Sequence, residues 1–313
     1  MSQLRDELQR LELGLFDALE AGVRPSVEVL AFGETSATLA LRLGERDFAC
    51  TRLAAFRSEA MVERYRSLYE DYRGLLVEHL RLHLPEARIY SVPRPDGFFA
   101  IYEVQPRFPR ERLCKELLLE LDEAGLGGLL LAVLGLLGEL ARLNHYSGDL
   151  QVGLDVRFTN WYLPPGGGFD ALGYLGLGTP LIRRRGRELL EPDFWGTGLP
   201  PGLPWFLRRF WLRPTLDQYY RPRTGAVILL ANLIEEHRSE ALPGLLIQAN
   251  AFLAASPLLS RLPPVTLGEL HRRATLEAWT RSLLRNLRAG YRGFLRRVLH
   301  RGYQFFLPDD LAS

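Results

Sequence analysis

The chain has 313 residues, of which 47% are hydrophobic and 24% are charged, a balance that excludes a largely disordered protein. The formal net charge of +2 gives no basis for bulk nucleic-acid binding, and the chain carries no specific nucleic-acid motif. The two cysteines, Cys50 and Cys114, lie far apart in apolar surroundings, without the spacing of a zinc site. We therefore expect two reduced, buried thiols in a cytoplasmic protein.

Residues 1–24 are predicted to form an N-terminal amphipathic helix. The segment begins MSQLRDELQRLELGLFDAL and lacks the basic start, apolar centre and small-residue cleavage site of a signal peptide. We expect this helix to precede the first lobe of the fold.

Residues 25–105 are predicted to form a small, sheet-rich lobe. Apolar and polar residues alternate in three short runs, which glycine turns separate, at 26–30, 35–43 and 48–51. This pattern predicts an antiparallel meander. A long helix is predicted over 58–83, and Asp96-Gly97 between two apolar runs predicts a hairpin.

Residues 106–313 are predicted to form a larger, helical lobe. Its most apolar run, 126–137, is too short to span a bilayer and indicates a buried central helix rather than a transmembrane segment. A second hairpin is predicted around the turn 164–170. Helices are predicted over 109–123, 125–145, 224–238, 240–255 and 266–303.

The predicted fold class is α+β, because strands and helices are segregated rather than alternating. The order of elements over residues 25–255 resembles the two-lobed protein-kinase-like fold, in particular its aminoglycoside-phosphotransferase-like branch. The resemblance implies a small antiparallel-sheet N-lobe, a helical C-lobe and a nucleotide or other small-molecule ligand between them. It also implies ATP as a cofactor, with Mg²⁺ on the phosphates.

The segment GLDVRFTNWYL, at 153–163, matches the catalytic-loop pattern D-x-x-x-x-N of this family. Asp155 and Asn160 have the required spacing and directly precede a strand-like run. In the family the acid orients or deprotonates the attacking hydroxyl and the amide holds Mg²⁺. We expect these two roles here; the alternative is that both side chains cap loop backbone.

The second metal-binding acid of the family is absent from its expected place. The D-F-G motif falls on Gly176-Leu177-Gly178, so Gly176 stands where the acid belongs. Glycine offers no side-chain oxygen to a hard cation, which makes Mg²⁺ binding doubtful. Asp170 is a possible replacement, although it falls in a predicted turn.

The phosphate-binding lysine of the third strand is also missing. Thr51 occupies its position in the run Phe48-Ala49-Cys50-Thr51, and a shift of one residue places Arg52 there instead. The helix acid that pairs with such a lysine is predicted to be Glu70, with Glu63 next; the alternative for both is a solvated helix charge.

Two further segments are predicted to contact a nucleotide. The turn at Gly33, Thr35 and Ser36 offers one glycine and two hydroxyls to a phosphate, although a plain hairpin fits it equally well. Glu103 and Val104, in the connector between the lobes, are expected to offer backbone groups to a base.

Residues 271–301 contain nine arginines and one acid, Glu277. Apolar residues interleave with them at helical spacing, so the plain interpretation is a helix with an arginine-rich solvent face. The alternative is a surface for an acidic protein, another polyanion or an anionic membrane.

Three functions follow from these residues. The leading hypothesis is a kinase-like protein with a degenerate active site, a pseudokinase that binds a nucleotide or other ligand or regulates a partner. The second is an active but unorthodox small-molecule phosphotransferase in which Arg52 replaces lysine. The third is a pathway scaffold that docks through its arginine-rich C-terminal helices.

Overall fold

The computed structural model describes residues 2–33, 36–191, 194, 199–200, 202–203, 205 and 212–304. The N-terminal lobe consists of a five-stranded antiparallel sheet with two helices, α1 and α2. The strands are β1 Val29–Phe32, β2 Ser36–Leu43, β3 Arg46–Phe56, β4 Arg88–Pro93 and β5 Phe99–Pro106, in the spatial order β1-β2-β3-β5-β4. The predicted meander and hairpin are confirmed, and β3 is longer than predicted because it pairs along most of its length with both neighbours.

The two faces of this sheet contact different parts of the molecule. On the outer face, side chains such as Cys50 and Val104 pack against α1, Ser2–Ala21. On the inner face, Leu53 and Ile101 join the main hydrophobic core, which continues into the helical lobe. Since successive residues of a strand point to opposite faces, the register of β3 and β5 decides which side chains face the second lobe.

Helix α2, Glu59–Leu80, crosses the inner face. It begins after Ser58, whose side chain accepts a hydrogen bond from the backbone N–H of Met61 at 3.3 Å. Its buried stripe includes three tyrosines, Tyr65, Tyr69 and Tyr72. Their hydroxyls lie at the boundary between the lobes and form the hydrogen bonds described below.

The C-terminal lobe is mainly helical. Its helices are α3 Cys114–Glu120, α4 Glu123–Tyr146, α5 Leu212–Asp217, α6 Pro222–Glu235, α7 Leu242–Ala255 and α8 Leu267–Arg297, and its short strands are β6 Leu150–Val152, β7 Trp161–Tyr162, β8 Gly173–Tyr174, β9 Ile182–Arg184 and β10 Arg187–Glu188. Strands β7 and β8 form the second predicted hairpin, in which Trp161 pairs with Tyr174.

Helix α4 forms the centre of this lobe and packs against α2, α6 and α7. It is longer than the apolar run suggests, and by length and composition alone it could cross a membrane. Half of its apolar window is buried inside the fold, where side chains such as Leu130 and Val133 belong to the main hydrophobic core. Both cysteines are free and buried, and burial raises the pKa of each thiol to about 12.

The architecture is therefore α+β, with an antiparallel-sheet N-terminal lobe and a larger helical C-terminal lobe, as the sequence predicts. The chain leaves the sheet at Pro106, and Phe108 then stacks on Tyr162 with their ring centroids 4.2 Å apart. This contact places the end of the N-terminal lobe against the β7–β8 hairpin.

Candidate functional site

A polar row crosses three strands on the inner face of the sheet. Thr38 of β2 pairs with Thr51 of β3, which in turn pairs with Glu103 of β5. The hydroxyl oxygens of the two threonines lie 3.0 Å apart and share a hydrogen bond. The threonines are half-buried, whereas Glu103 is only 3% exposed. The row thus places one buried carboxylate beside two short hydroxyl side chains.

Glu103 has one hydrogen-bond donor among the described residues. The hydroxyl of Tyr69 donates to its Oε1 at 2.8 Å. Burial raises the pKa of the Glu103 carboxyl to about 7, although the bond from Tyr69 and the nearby charge of Arg73 act in the opposite direction. A carboxyl in this state gains or loses its proton near neutral pH.

Gln105 lies two residues further along β5 and therefore on the same face as Glu103. It is 8% exposed, and its side-chain Oε1 is buried without a hydrogen-bond partner among the described residues. A buried polar atom without a partner costs about 1–3 kcal/mol and calls for an explanation. The residue of β3 that pairs with Gln105 is Ala49, whose side chain has no polar group.

The tyrosines of α2 fix this helix against the second lobe. The hydroxyl of Tyr65 donates to the backbone oxygen of Gly178 at 2.9 Å, and that of Tyr72 donates to the backbone oxygen of Gly153 at 2.9 Å. Together with the bond from Tyr69 to Glu103, they connect α2 to β5, to the glycine-rich turn and to the loop before Asp155.

The structure brings Asp155 and Asn160 together. The Nδ2 of Asn160 donates to the backbone oxygen of Asp155 at 3.1 Å. The Asp155 carboxylate is also bound by Arg157, whose Nη2 donates to Oδ2 at 2.7 Å and whose Nε donates to Oδ1 at 3.0 Å. Burial alone would raise the pKa of Asp155, but the Arg157 guanidinium and its hydrogen bonds outweigh burial and hold the pKa below its usual range.

The place of the second metal acid is filled by an aromatic ring. A Cβ added to Gly176 would overlap the hydroxyl oxygen of Tyr174, a fully buried side chain. The other candidate, Asp170, is exposed in a 3-10 turn of the hairpin. No group of three His, Cys, Asp or Glu side chains in the described part of the chain could hold a metal ion. Asn160 alone does not fit a Mg²⁺ site, which needs several oxygen ligands.

Arg52 does not face this site. Thr51 occupies the inner face and Arg52 the outer face, where its Nε and Nη2 each donate to the Glu12 carboxylate of α1 at 2.7 Å. Arg52 is 3% exposed and Glu12 is fully buried. The structure thus corrects the expectation that Arg52 supplies a phosphate-binding cation: its guanidinium forms a buried ion pair on the far side of the sheet.

Glu70 and Glu63 both lie on the exposed side of α2. The carboxylate of Glu70 is 3.7 Å from Arg73, and that of Glu63 is 2.7 Å from Arg66. The expectation that Glu70 pairs with a cation on β3 is wrong, because the residue next to it, Tyr69, occupies the position that faces the sheet.

Glu103 and Val104 do not form the connector between the lobes. Both lie inside β5, which has β3 on one side and β4 on the other, so that each residue has a pairing partner on both sides. Their backbone groups belong to the sheet and are not offered to a base, and the side chain of Val104 is buried on the outer face. The expectation that these backbone groups contact a base is wrong. Glu103 instead places its side chain in the polar row on the inner face.

The turn between β1 and β2 is partly described. The N–H of Gly33 donates to the backbone oxygen of Ser36 at 2.9 Å, which closes a hairpin. Thr35 lies outside the described residues. For Gly33 and Ser36 the geometry matches the plain hairpin.

The arginine-rich segment forms most of α8. Arg288 is buried, Arg281 pairs with Glu235 at 2.6 Å, and Arg273 pairs with Glu277. The outer side of the helix bears an exposed apolar stripe, with basic residues at both ends: Arg272, Leu276, Trp279, Leu283, Phe294 and Arg297. A polyanion or acidic partner at this face stays a prediction.

Sequence reasoning missed the contribution of several residues. Tyr65 and Tyr69 appear in the sequence only as part of a helical stripe, which does not reveal that their hydroxyls face polar groups. Gln105 gives no local signal, because its burial depends on the pairing of β5. Arg157 could have been found, since an arginine two residues after the motif acid lies within reach of it.

The comparisons with known proteins give one family and a distant structural likeness. No curated protein matches this chain. A solved structure titled "WaaP in complex with acyl carrier protein" aligns with 90% of this chain and 96% of its own, at 14% identity and a TM-score of 0.38, a likeness too low to bear on activity. The model of a family of unknown function, DUF6206, matches residues 23–289, and the chain belongs to this family.

Proposed function

We propose that this protein binds a ligand between its two lobes without transferring a phosphoryl group, as a kinase-like protein with a degenerate site. Thr51 occupies the position expected for the phosphate-binding lysine. Its hydroxyl shares a hydrogen bond with that of Thr38, and its partner on the neighbouring strand is the buried acid Glu103. This single observation carries the proposal, because a carboxylate where a cation is needed disfavours a triphosphate.

The second lobe supports the same conclusion. Tyr174 fills the space next to Gly176, and the carboxylate of Asp155 is bound by Arg157. Phosphoryl transfer depends on positioning and on neutralising charge. The loss of one cation and one metal acid is expected to lower its rate by several orders of magnitude. Neither ATP nor Mg²⁺ is then a required cofactor.

The test is a transfer assay with γ-labelled ATP and Mg²⁺. The proposal predicts no phosphate release above the buffer background, for the wild-type chain or for Asp155→Asn, with both proteins shown to be folded by thermal unfolding. Release by the wild type that is lost in Asp155→Asn would overturn the proposal. It would favour an active small-molecule phosphotransferase related to the aminoglycoside-phosphotransferase branch.

A second candidate function is docking through α8. The observation that favours it is the exposed apolar stripe, in which Leu276 is 55% and Trp279 is 62% exposed. Exposed apolar groups flanked by arginine are typical of surfaces that bind anionic partners or membranes. For either function, the two free thiols support a reducing, cytoplasmic setting.

A further inference from the structure

We infer that the ligand between the lobes is a small organic cation, bound by the carboxylate of Glu103 and the side-chain oxygen of Gln105. The inference rests on the proposed function, since it names the ligand class of the same site. In the kinase-like family the protein supplies a cation here and the ligand supplies the anion. In this chain the protein supplies an acid, so the complementary ligand carries the positive charge.

The carboxylate lacks a cationic partner in the described part of the chain. The cation on the adjacent helix is Arg73, whose Nη1 is bonded to the Tyr69 hydroxyl at 3.5 Å and to the backbone oxygen of Pro85 at 3.3 Å. No arginine, lysine or histidine among the described residues forms an ion pair with Glu103. A buried acid in this condition is stabilised when a cation arrives.

A second acceptor points in the same direction. The Oε1 of Gln105 is buried and has no donor among the described residues. Along an extended strand, Glu103 and Gln105 are about 7 Å apart on one face. One ligand with several N–H groups, such as an amidinium or guanidinium, can donate to both side chains.

The side chains around the carboxylate are short. Thr51 and Thr38 are half-buried, so solvent reaches these two side chains, whereas Glu103 is buried. On the opposite side lies Gly178, where an added Cβ would be 3.3 Å from Oε2 of Glu103. Glycine at 178 leaves the carboxylate without a covering side chain from that turn, although the backbone of the turn lies close to the buried carboxylate.

The charges around Glu103 define the pH dependence of such binding. The groups that face it are Tyr65, Tyr69 and Arg73, all on α2, and the tyrosine hydroxyls stay protonated because burial raises their pKa well above the usual value. The carboxyl of Glu103 itself has a pKa raised by burial to about 7. A cation binds the ionised form, so affinity is expected to rise between pH 6 and pH 8.

The test compares benzamidine, a planar cation, with benzamide, its neutral isostere. Calorimetry at pH 8 on the full chain is expected to show benzamidine binding about tenfold or more tighter than benzamide. Glu103→Gln removes the charge and keeps an acceptor for Tyr69, and it is expected to bring the ratio close to one. Gln105→Leu is expected to weaken benzamidine, while the matched control Glu70→Gln, on the exposed side of α2, keeps the wild-type ratio.

Equal affinity for the two probes, including no binding of either, would overturn the inference, as would a full preference for benzamidine in folded Glu103→Gln. Failure of the proposed function is seen separately, as phosphate release from labelled ATP that Asp155→Asn abolishes. A preference for benzamidine that depends on both Glu103 and Gln105 supports the inference.

Discussion

The hydroxyl of Tyr69 donates to the carboxylate of Glu103 at 2.8 Å, on the inner face of the sheet where a kinase-like protein would place its lysine and acid. The pair joins α2 to β5, and no cation among the described residues forms an ion pair with Glu103. It also explains how the helix keeps its position although Thr51 cannot form an ion pair with it. The proposed function depends on this contact.

The first prediction concerns pH and stability. Burial raises the pKa of Glu103 from an ordinary 4.5 to about 7, so the folded protein binds the proton more tightly than the unfolded chain does. This contribution is fully present below pH 4.5 and is lost as the pH rises through 7. Between pH 4.5 and 8, the free energy of unfolding of the wild type should fall relative to Glu103→Gln by about 3 kcal/mol.

Urea unfolding of both proteins across this pH range measures the difference, and other titrating groups cancel in the comparison. A difference that stays constant with pH would mean that Glu103 titrates alike in the folded and unfolded chains.

The second prediction assigns a structural role to Arg52. Removing one partner of a buried ion pair typically costs about 3–5 kcal/mol, because the other charge stays buried without compensation. Arg52→Met should destabilise the fold by that order, since it leaves Glu12 with Arg94 at 3.7 Å as its remaining guanidinium neighbour.

Arg10→Met provides the control, because Arg10 is exposed and its ion pair with the half-buried Glu7 lies at the surface, where such pairs contribute about 0–1 kcal/mol. Thermal unfolding distinguishes the two variants. If Arg52→Met is stable but binds ligand differently, Arg52 contacts the ligand after all.

The third prediction concerns restoration of the missing metal acid. Gly176→Asp should destabilise the protein by about 1–3 kcal/mol, since the new Cβ meets the buried ring of Tyr174. Gly74→Asp is the matched control, because Gly74 is exposed on α2 and nothing lies within 4 Å of an added Cβ. Equal stability of the two variants in urea would show that Tyr174 moves aside without cost.

Local sequence signals predict some elements of this fold, whereas others depend on contacts between residues far apart in the chain. Alternation and glycine turns are local signals, so the meander, α2 and the hairpins could be predicted. The choice between Thr51 and Arg52 could not, because one residue of register reverses the face, and only the contact of Arg52 with Glu12 of α1 shows which residue faces outward. The central position of β5 is likewise set by non-local pairing, so the sequence alone favours a connector at Glu103.

The fourth prediction concerns the stripe on α8. If this face binds an anionic membrane, Trp279→Ser combined with Leu283→Ser should abolish co-sedimentation with vesicles that contain anionic lipid, because the apolar contacts are lost. Trp205→Ser is the control, since Trp205 is also exposed, at 65%, but does not belong to α8. Two results would exclude this role. One is unchanged sedimentation of the double variant with anionic vesicles, and the other is a wild type that sediments only with neutral vesicles.

The most direct measurement is a carbon-13 NMR titration of the Glu103 carboxyl, assigned by its absence in Glu103→Gln. The proposed cationic ligand predicts a pKa of about 7 in the free protein, a lower pKa in saturating benzamidine and no change in benzamide. An ordinary pKa near 4.5 in the free protein would contradict it, because the carboxylate would then already have a partner or full hydration and would need no cationic ligand.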